Sequence, residues 1–424
     1  MPEGVANRMR KLTVHTGAKI SHIGIAQQSS AEWAAAATYT RMLTLSLSQV
    51  CGDIKLSRLS STPETENAHT EPNVALISTR PFTDLPGERI VRRVFGLAPK
   101  RAQLRGESRL RKTLRLQDSS DIFVTAREHG IDVILPVFDM PPWQTGVKAI
   151  GWVPDLQHAN LPNLFSDQER VRRDASILRL ASRASLIMVS SESSAADFVR
   201  LFPTAKQKLR VVRFPSLLAF LPLDQPSNAV PTSLNLPEKF ALIANQFWAH
   251  KNHQLVIEAL GKLKRRGLSI PVVMTGMPTD YRDPSGKTLS NLLQAIAAND
   301  LSSEVIILGM VPYQHLIELM RSAALIIQPS RSEGWSTVVE DAKCIGRPVL
   351  CSDLAVHKEQ VPDALGFFPC DDAEQLAALM GTHWASLEAG PDPERERLSI
   401  ATEQAFALDH GRRLLSICVE ANEM

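Results

Sequence analysis

Residues 325–350 read LIIQPSRSEGWSTVVEDAKCIGRPVL, and this stretch decides the fold. The apolar run 325–328 predicts a buried strand that ends at a proline. A polar loop with Glu333 follows, then a helix over about 336–345 and a second apolar strand from Pro348. Strand, loop, helix and strand in so short a span form a βαβ unit, whose parallel strands need the crossover helix. Ligands of such sheets bind beyond the carboxyl ends of the strands, which is where Glu333 lies.

The predicted helix separates its two acidic residues. One face is an apolar stripe with the spacing i, i+4, i+7, formed by Val338, Ala342 and Ile345. Asp341 lies beside this stripe, whereas Glu340 falls on the polar face. We therefore predict that Asp341 faces a pocket and that Glu340 is solvated and paired with Lys343 at i+3.

The start of the same helix predicts an anion site. Ser336 and Thr337 can cap the helix. The free N–H groups of the first turn and the helix dipole favour a negative charge at this end. We therefore expect both residues beside a charged ligand.

The second half of the chain repeats this alternation. Short apolar runs suited to buried parallel strands occur at 240–244, 271–275, 305–308, 325–328 and 349–352. Predicted helices separate these runs, so the pattern indicates a doubly wound parallel sheet. We predict that this domain covers residues 239–392 and that a C-terminal helix over 393–424 crosses back to the first domain.

The first half predicts another domain of the same class. Its expected strands are 20–26, 73–78, 133–138, a strand from 148, 186–190 and 211–214. Residues 53–70 are rich in Ser and Thr and are interpreted as a loop. We predict an N-terminal arm over 1–18, a Rossmann-like domain over 19–217 and a proline-rich linker over 218–238.

Length and composition exclude several classes of protein. The 424 residues suffice for two domains with full cores, and a net charge of +2 argues against a general polyanion binder. The five cysteines show no C-x-x-C spacing, so neither a zinc site nor a disulfide framework is indicated. No apolar run approaches the roughly 18 to 20 residues of a membrane-spanning helix, and no secretory signal is visible. We expect a protein of the reducing cytoplasm.

Residues 325–350 resemble the E-x7-E signature of retaining glycosyltransferases of family four, which have the GT-B fold. Glu333 matches the first acid and Asp341 the second, so the motif here is E-x7-D. In that family the first acid contacts the donor sugar, and the second accepts hydrogen bonds from the nucleotide ribose. The resemblance therefore implies an α/β protein with two Rossmann-like doubly wound domains facing a cleft. Aspartate keeps the charge but is one methylene shorter than glutamate.

A second landmark is the run Asn245 to His253, NQFWAHKNH, after the first strand of the second domain. The family has an Arg here and a Lys five residues later, both on the donor's pyrophosphate. Lys251 matches the Lys, and Gln246 stands in the Arg position. A lysine at the start of a helix opposes the helix dipole, so an anionic ligand would explain it. The resemblance implies that Asn245, Gln246 and Lys251 bind the donor, and a plain loop lysine is the alternative.

Two further segments complete the resemblance. Gly309-Met310-Val311-Pro312 looks like the family's segment whose backbone reads the base, which assigns Gly309 and Val311 to the donor site. Ser330 and Gly334 are expected to line the same cleft.

The stretch 148–165 looks like the family's His-Asp pair. Asp155 keeps the position of the Asp, Pro154 stands where the His usually falls, and His158 can supply the imidazole. Such a group would position the acceptor hydroxyl or steer its proton. An ordinary loop histidine bonded to backbone is the alternative for His158.

Two segments of the first half have other interpretations. The family's glycine-rich first loop corresponds here to WAAAA at 33–37, so we assign this loop to the acceptor side or to structure. Arg89 to Arg115 holds ten basic residues, one acid and interleaved apolar residues. It can lie on anionic lipid as a peripheral contact at the inner face of the membrane, or it is a solvated helical pair. We do not expect nucleic acid as a partner, because no aromatic residues of the single-strand type are interleaved.

The sequence thus predicts transfer of a sugar from a nucleotide-diphosphate sugar to a hydroxyl of a glycan or lipid-linked acceptor, as in bacterial surface polysaccharide assembly. The residues expected to act on the reacting groups are Glu333, Lys251, His158 and Asp155. No D-x-D motif is present, so we predict no metal and no cofactor besides the donor. Two alternatives stay open, which are a catalytically lapsed GT-B binding partner and a nucleotide-sugar epimerase. A Rossmann dehydrogenase is disfavoured, because no G-x-G-x-x-G follows a predicted strand.

Overall fold

The computed structural model describes residues 20–27, 34–60, 74–79, 119–141, 144–221 and 234–424. They form two parallel sheets with helices on their faces. The first sheet has the strand order β3-β2-β1-β4-β5-β6-β7. Its strands are β1 (His22–Ala26), β2 (Lys55–Ser60), β3 (Val74–Ser78), β4 (Val133–Val137), β5 (Lys148–Trp152), β6 (Leu186–Val189) and β7 (Leu209–Val211). The helices of this half are α1 (Ala34–Ser48), α2 (Ser119–Glu128), α3 (Gln157–Asn160), α4 (Asp167–Arg183) and α5 (Glu192–Leu201).

The second sheet has the order β10-β9-β8-β11-β12-β13, which is the doubly wound order of dinucleotide-binding domains. Its strands are β8 (Ala241–Ala244), β9 (Val272–Thr275), β10 (Val305–Gly309), β11 (Leu325–Gln328), β12 (Val349–Ser352) and β13 (Gly366–Phe368). The helices are α6 (His253–Arg265), α7 (Lys287–Ala298), α8 (Tyr313–Ser322), α9 (Thr337–Cys344), α10 (Ala355–Gln360), α11 (Ala373–Trp384) and α12 (Pro393–Glu423). Short 3-10 turns lie at Pro162–Leu164, Pro203–Lys208, Leu217–Phe220 and Ala249–Lys251.

The central strands are apolar because both faces of each sheet are covered by helices. β8, β9, β11 and β12 consist almost wholly of buried residues. Side-chain caps define where several helices begin. Ser166, Ser191, Ser336, Asp372 and Asp392 each accept a hydrogen bond from a backbone N–H three residues on.

The last helix joins the two halves. α12 begins beside the second domain, where Glu396 accepts hydrogen bonds from Arg321 of α8. Its later part packs on α1 of the first domain, and the His410 ring bonds the Ser46 hydroxyl at 2.8 Å. The apolar side chains of its final turns lie in the same core cluster as β1, β4 and β5.

The predicted fold class is confirmed, and two local predictions are wrong. Residues 53–70 were expected to be a loop, but β2 occupies Lys55–Ser60, with the polar Ser57 and Ser60 buried at the pairing of β2 with β1 and β3. The strand expected at 211–214 lies at Leu209–Val211. Residues 353–392, for which no elements were assigned from the sequence, contain α10, β13 and α11.

Several predictions fall outside the described residues. These are the arm 1–18, most of the first loop around residue 33, and the basic segment Arg89 to Arg115. The linker predicted over 218–238 is described only at its two ends, and the domain boundaries stay predictions.

Candidate functional site

The site lies where the strand order of the second sheet reverses. β8 and β11 are neighbours, yet their connections leave in opposite directions, which opens a crevice at their carboxyl ends. Asn245 follows β8, and Gln328 ends β11. The amide nitrogen of Asn245 donates to the amide oxygen of Gln328 at 2.8 Å, so the two strand ends are tied across this point.

Lys251 and Glu333 meet in this crevice. The Lys251 Nζ donates to Glu333 Oε1 at 2.6 Å, and the two side chains are 15% and 10% exposed. Lys251 closes the turn Ala249–Lys251 before α6, and Glu333 precedes α9 by a short loop. Residues 82 positions apart in the chain are thus paired where the predicted donor site lies.

The surroundings keep this pair charged. Burial alone would raise the pKa of Glu333, but the Lys251 ammonium and hydrogen bonds outweigh it and hold the pKa below its ordinary value. Burial lowers the pKa values of His250, His253 and His357, and the Lys251 charge lowers each of them further. The three histidines around Lys251 are therefore neutral at pH 7.

The loops after β8, β9 and β10 approach one another closely. Gln246 accepts a hydrogen bond from the backbone N–H of Met277, so its side-chain oxygen is engaged inside the second domain. Gly276 adopts a φ of 151°, and a Cβ there would collide with the carbonyl of Asn245. The carbonyl of Gly309 accepts from the Thr275 hydroxyl at 2.7 Å. It is therefore already used within the sheet.

The segment around Gly309 leaves only part of its backbone available to a ligand. Gly309 also accepts from the N–H of Gly276. Val311 is half-buried and packs against the core of the second domain. A base read by this segment would have to use groups other than the Gly309 carbonyl.

The start of α9 is built as the sequence predicts. Ser336 caps the helix by accepting from the Val339 N–H, and Thr337 is the first helical residue. The side-chain amide of Gln360 forms two hydrogen bonds with the backbone of Ser336. Its oxygen accepts from the Ser336 N–H, and its nitrogen donates to the Ser336 carbonyl. The first turn of α9 follows Glu333 directly.

Glu340 differs from the sequence prediction, whereas the donor-binding role of Asp341 stays a prediction. Asp341 accepts a hydrogen bond from the Ser216 hydroxyl at 2.6 Å, and burial raises its pKa to about 7. Glu340 was expected to be solvated, but it is fully buried, and burial together with the nearby Glu403 raises its pKa. It does pair with Lys343, at 3.1 Å. The prediction failed because α12 covers the face of α9 that the helix pattern leaves to solvent.

The first domain closes over the site at Gly334. A Cβ at this position would collide with the carbonyl of Pro154 and would lie 3.4 Å from the Cα of Asp155. The next residue, Trp335, donates from its indole nitrogen to the carbonyl of Phe214 at 3.0 Å. The loop that carries Glu333 is therefore held against the first domain at two points.

His158 is buried beside α4. Its ring is 2% exposed, and its Nε2 bonds Asp174 of α4 at 3.0 Å. Asp155, by contrast, lies at the contact with Gly334. Its Oδ1 accepts from the Gln157 N–H at 3.1 Å. The catalytic roles of both residues stay predictions.

A second contact between the domains surrounds Arg282, in the loop after β9, and we name it the Arg282 clasp. The guanidinium pairs with Asp280 at 2.9 Å and donates to Gln157 of the first domain at 2.6 Å. Its central carbon lies 5.3 Å from the ring centroid of Phe165 and 5.2 Å from that of Trp248. Arg282 is thus placed between aromatic rings of both domains.

The neighbouring residue extends the clasp. Tyr281 donates from its hydroxyl to Glu169 of α4 at 2.9 Å and accepts from Arg173 at 2.9 Å. The clasp therefore consists of Asp280, Tyr281, Arg282, Trp248, Gln157, Phe165, Glu169 and Arg173. It joins α3, α4 and their connecting loop to the loops after β8 and β9.

The structure brings together Asn245, Lys251 and Glu333, with Ser336 and Thr337 at the adjoining helix start. Sequence reasoning missed Gln328, Ser216 and the Arg282 clasp. A polar residue closing an apolar strand is a signal that could have identified Gln328. Nothing in the local pattern marks Arg282 or Ser216, because the partners that join Arg282 to the first domain and Ser216 to α9 and α12 lie far away in the chain.

The described residues contain neither a metal-binding cluster nor a membrane-spanning helix. No group of three or more His, Cys, Asp or Glu side chains is arranged to hold a metal ion in the described ranges. Among the helices of the described part of the chain, none is long and apolar enough to cross a bilayer.

Part of the chain matches a known family. Residues 224–403 match the family model described as glycosyl transferases group 1. This range includes the whole described second sheet and the first part of α12. Glu333, Lys251 and Asp341 all fall within it.

Curated relatives match over part of their length. A D-inositol 3-phosphate glycosyltransferase of Nocardia farcinica is 25% identical over 225 residues, which are 50% of this chain and 49% of that protein. O-antigen chain mannosyltransferase B of Escherichia coli is 24% identical over 236 residues, 54% of this chain and 60% of that protein. The matches span about half the length of these relatives.

Solved structures match over nearly the whole chain. A sucrose-phosphate synthase from Thermosynechococcus elongatus superposes with a TM-score of 0.59 at 16% identity, covering 95% of this chain and 98% of the other. Anabaena HepE in complex with UDP-glucose gives a TM-score of 0.57 at 14% identity, covering 93% and 98%. At this identity the likeness establishes the GT-B arrangement of the two domains and nothing finer.

Proposed function

We propose that the protein transfers a sugar from a nucleotide-diphosphate sugar to an acceptor hydroxyl, because residues 224–403 match the family model of the group 1 glycosyl transferases. The acceptor is a glycan or a lipid-linked glycan, and the reaction belongs to polysaccharide assembly. Transfer retains the anomeric configuration and uses no metal. The basic segment Arg89 to Arg115 would bring the enzyme to an anionic membrane surface.

One observation carries this proposal, which is the Lys251–Glu333 pair at the reversal of strand order. A buried ammonium whose neighbouring histidines are neutral is the cation that a departing diphosphate needs. The start of α9 adds N–H groups and the positive end of a helix dipole. Preorganised charges of this kind typically lower a barrier by a few kcal/mol per donor (about 3 for one well-placed group).

The residues divide the chemistry as follows. The bond between the anomeric carbon and the diphosphate oxygen breaks, and the diphosphate leaves with the electron pair. Lys251 and the start of α9 stabilise that charge. Glu333 holds the sugar hydroxyls and stabilises the positive charge on the ring. The acceptor oxygen then bonds the anomeric carbon while its proton passes to the departing diphosphate. Asp155 or His158 positions that hydroxyl from the side of the first domain.

The donor can be tested by thermal unfolding in the presence of UDP-, GDP-, ADP- and TDP-sugars. A ligand that binds only the native state raises the unfolding midpoint. UDP-glucose is the first probe, because HepE is solved with it. We expect one nucleotide class to raise the midpoint in the wild type and to do so less in Lys251→Met.

Two outcomes would replace the proposal. No shift with any of the four classes would favour a lapsed binding partner, for which the uncharged Gln246 at the second phosphate position is the supporting observation. Conversion of a sugar nucleotide into its epimer without any acceptor would favour an isomerase. Release of the nucleoside diphosphate only when an acceptor is present supports transfer.

A further inference from the structure

Gln328 is a fully buried amide directly beneath the site. Its Nε2 donates to Glu333 Oε1 at 2.9 Å and to the Ser330 hydroxyl at 3.0 Å. Its Oε1 accepts from Asn245 at 2.8 Å. One side chain therefore connects the end of β8, the end of β11 and the carboxylate of Glu333.

The chemistry of the partners fixes the orientation of this amide. A carboxylate only accepts hydrogen bonds, so the nitrogen of Gln328 must face Glu333. Its oxygen then faces the nitrogen of Asn245. An amide that uses both its ends in this way is held rigidly, and β11 holds its backbone.

Glu333 receives two donors on the same oxygen. The Lys251 ammonium and the Gln328 amide both contact Oε1, at 2.6 and 2.9 Å. A bound diphosphate would compete for the ammonium. The amide carries no charge, so the diphosphate does not attract it as it attracts the ammonium. Its hydrogen bond with Asn245 keeps it in place when the lysine moves.

We propose that Gln328 is a positioning residue that keeps the Glu333 carboxylate in place when Lys251 turns to the departing diphosphate. This inference rests on the proposed function. Without the amide, the buried carboxylate would keep only the Ser330 hydroxyl as a side-chain donor at the step where it must stabilise the sugar. Such a loss is costly, because buried acceptors without partners are strongly disfavoured.

The first test is Gln328→Met, which keeps an unbranched side chain of similar length but removes the N–H. With UDP-glucose as donor and UDP release as the measurement, we expect kcat to fall about 10- to 100-fold, the usual effect of removing a supporting hydrogen bond. We expect the KM for the donor to change little. The acidic limb of the pH profile should move to higher pH, because the carboxylate has lost a donor that favours its charged form.

The second test needs no turnover. In protein labelled with 13C-lysine, the Cε signal of Lys251 reports the ionisation of Glu333, and its absence in Lys251→Met assigns it. We expect the titration midpoint to lie higher in Gln328→Met than in the wild type. Gln328→Glu retains the contact with Asn245 but places a second carboxylate beside Glu333, so it should move the midpoint further in the same direction.

Ile326→Ala is the matched control. Ile326 lies on the same strand, is fully buried, and contacts only the core. We expect it to lower the unfolding midpoint while leaving the titration and the pH profile unchanged. An equal shift in this control, or an unchanged titration in both Gln328 variants, would overturn the proposal. If the wild type turns over no sugar nucleotide, the proposed function fails, while the titration still decides whether Gln328 controls Glu333.

Discussion

Lys251 and Glu333 neutralise each other in the cleft, where their side chains are 15% and 10% exposed. A bound diphosphate would compete with the carboxylate for the same ammonium. The Lys251 charge is therefore already present in the cleft before the diphosphate leaves the sugar. Removing either partner leaves the other buried without its counter-ion, which costs more than the pair itself is worth. Single substitutions here therefore report on both function and folding.

Lys251→Met should lower turnover by about 100- to 1,000-fold, the range seen when one preorganised charge-stabilising donor is lost. The measurement is the rate of nucleoside diphosphate release with donor and acceptor present. Lys262→Met is the control, because Lys262 pairs with Glu374 at 3.3 Å on the outside of the second domain. Near-normal turnover in Lys251→Met, with the control also unchanged, would remove this lysine from the mechanism.

Gly334→Ala should hinder closure of the two domains. The added methyl would collide with the Pro154 carbonyl, so the loop carrying Glu333 cannot keep its contact with the first domain. We expect turnover to fall at least about tenfold, since small misplacements of reacting groups have effects of that size or larger. Solution X-ray scattering should show a larger radius of gyration.

Gly381→Ala provides the comparison for this substitution. Its Cβ would lie 3.4 Å from Leu263, an ordinary contact, inside α11. We expect wild-type turnover and scattering. If Gly334→Ala behaved in the same way, the close approach of Gly334 to the first domain would have no part in the reaction.

At the scale of elements, α9 meets α12 and the Ser216 segment through three carboxyl groups. Glu340 and Asp341 lie on α9, and Glu403 lies on α12, where it accepts from the Ser216 N–H at 2.8 Å. Burial raises the pKa values of Glu340 and Asp341. The protonation of Glu340 and Asp341, which lie where the domains meet, therefore changes near neutral pH.

Glu340→Gln should become more stable relative to the wild type as pH rises. The folded-state pKa of Glu340 is raised above 4.5, so its stabilising contribution is complete below that pH. This contribution to the free energy of unfolding is lost as pH rises toward the folded-state pKa, because Glu340 ionises at a lower pH in the unfolded chain than in the folded protein. Urea unfolding from pH 4.5 to 8 should show the difference growing by about 1–2 kcal/mol, with one pKa unit corresponding to about 1.4 kcal/mol.

Glu374→Gln is the matched exchange at an exposed site. The pKa of Glu374 is lowered, chiefly by its hydrogen bonds to Arg266 and Lys262. The Glu374→Gln variant should therefore gain no stability relative to the wild type as pH rises. A flat difference for Glu340→Gln over the same range would show that this carboxyl ionises normally in the folded protein.

The elements that could be predicted from the sequence are those whose own residues form a hydrophobic pattern. β8, β9 and β11 are apolar runs, and a buried parallel strand needs nothing else. β2 was missed because Ser57, Arg58 and Ser60 are polar, although their pairing with β1 and β3 buries them. Glu340 was misplaced for a related reason, since its burial depends on α12, which is distant in sequence.

At the scale of the whole molecule, the Arg282 clasp joins the two domains at a second place. It combines an ion pair within the second domain with contacts to Gln157 and Phe165 of the first. Its guanidinium is nearly buried, and such desolvated cation–π contacts are worth about 2 kcal/mol. Opening the cleft requires that these contacts break.

Arg282→Ala should therefore shift the protein toward an open arrangement. We expect a larger radius of gyration in solution scattering and turnover reduced about tenfold, the factor that corresponds to 1.4 kcal/mol. Binding of the nucleotide to the second domain should persist. Arg266→Ala is the control, because Arg266 pairs with Glu374 on the surface of the second domain. Unchanged scattering in Arg282→Ala would show that the clasp does not hold the domains together.

The two-domain architecture was predictable, but its closed contacts were not. Alternating strands and helices specify each sheet locally, and the positions of Glu333 and Lys251 follow from the strand ends. The contacts of Gly334 with Pro154 and of Arg282 with Gln157 join residues more than 120 positions apart. No periodicity of either segment encodes such a pairing.

The path of α12 has a consequence for building hybrid proteins. The final turns of this helix fill the interior of the first domain, although they come last in the chain. Anyone exchanging the donor half for that of a relative would need to leave residues 407–424 native, and join the sequences within the helix. A crossover that replaced everything after the linker would pack a non-native helix against α1. We expect this hybrid to aggregate even if each half folds in its own parent protein.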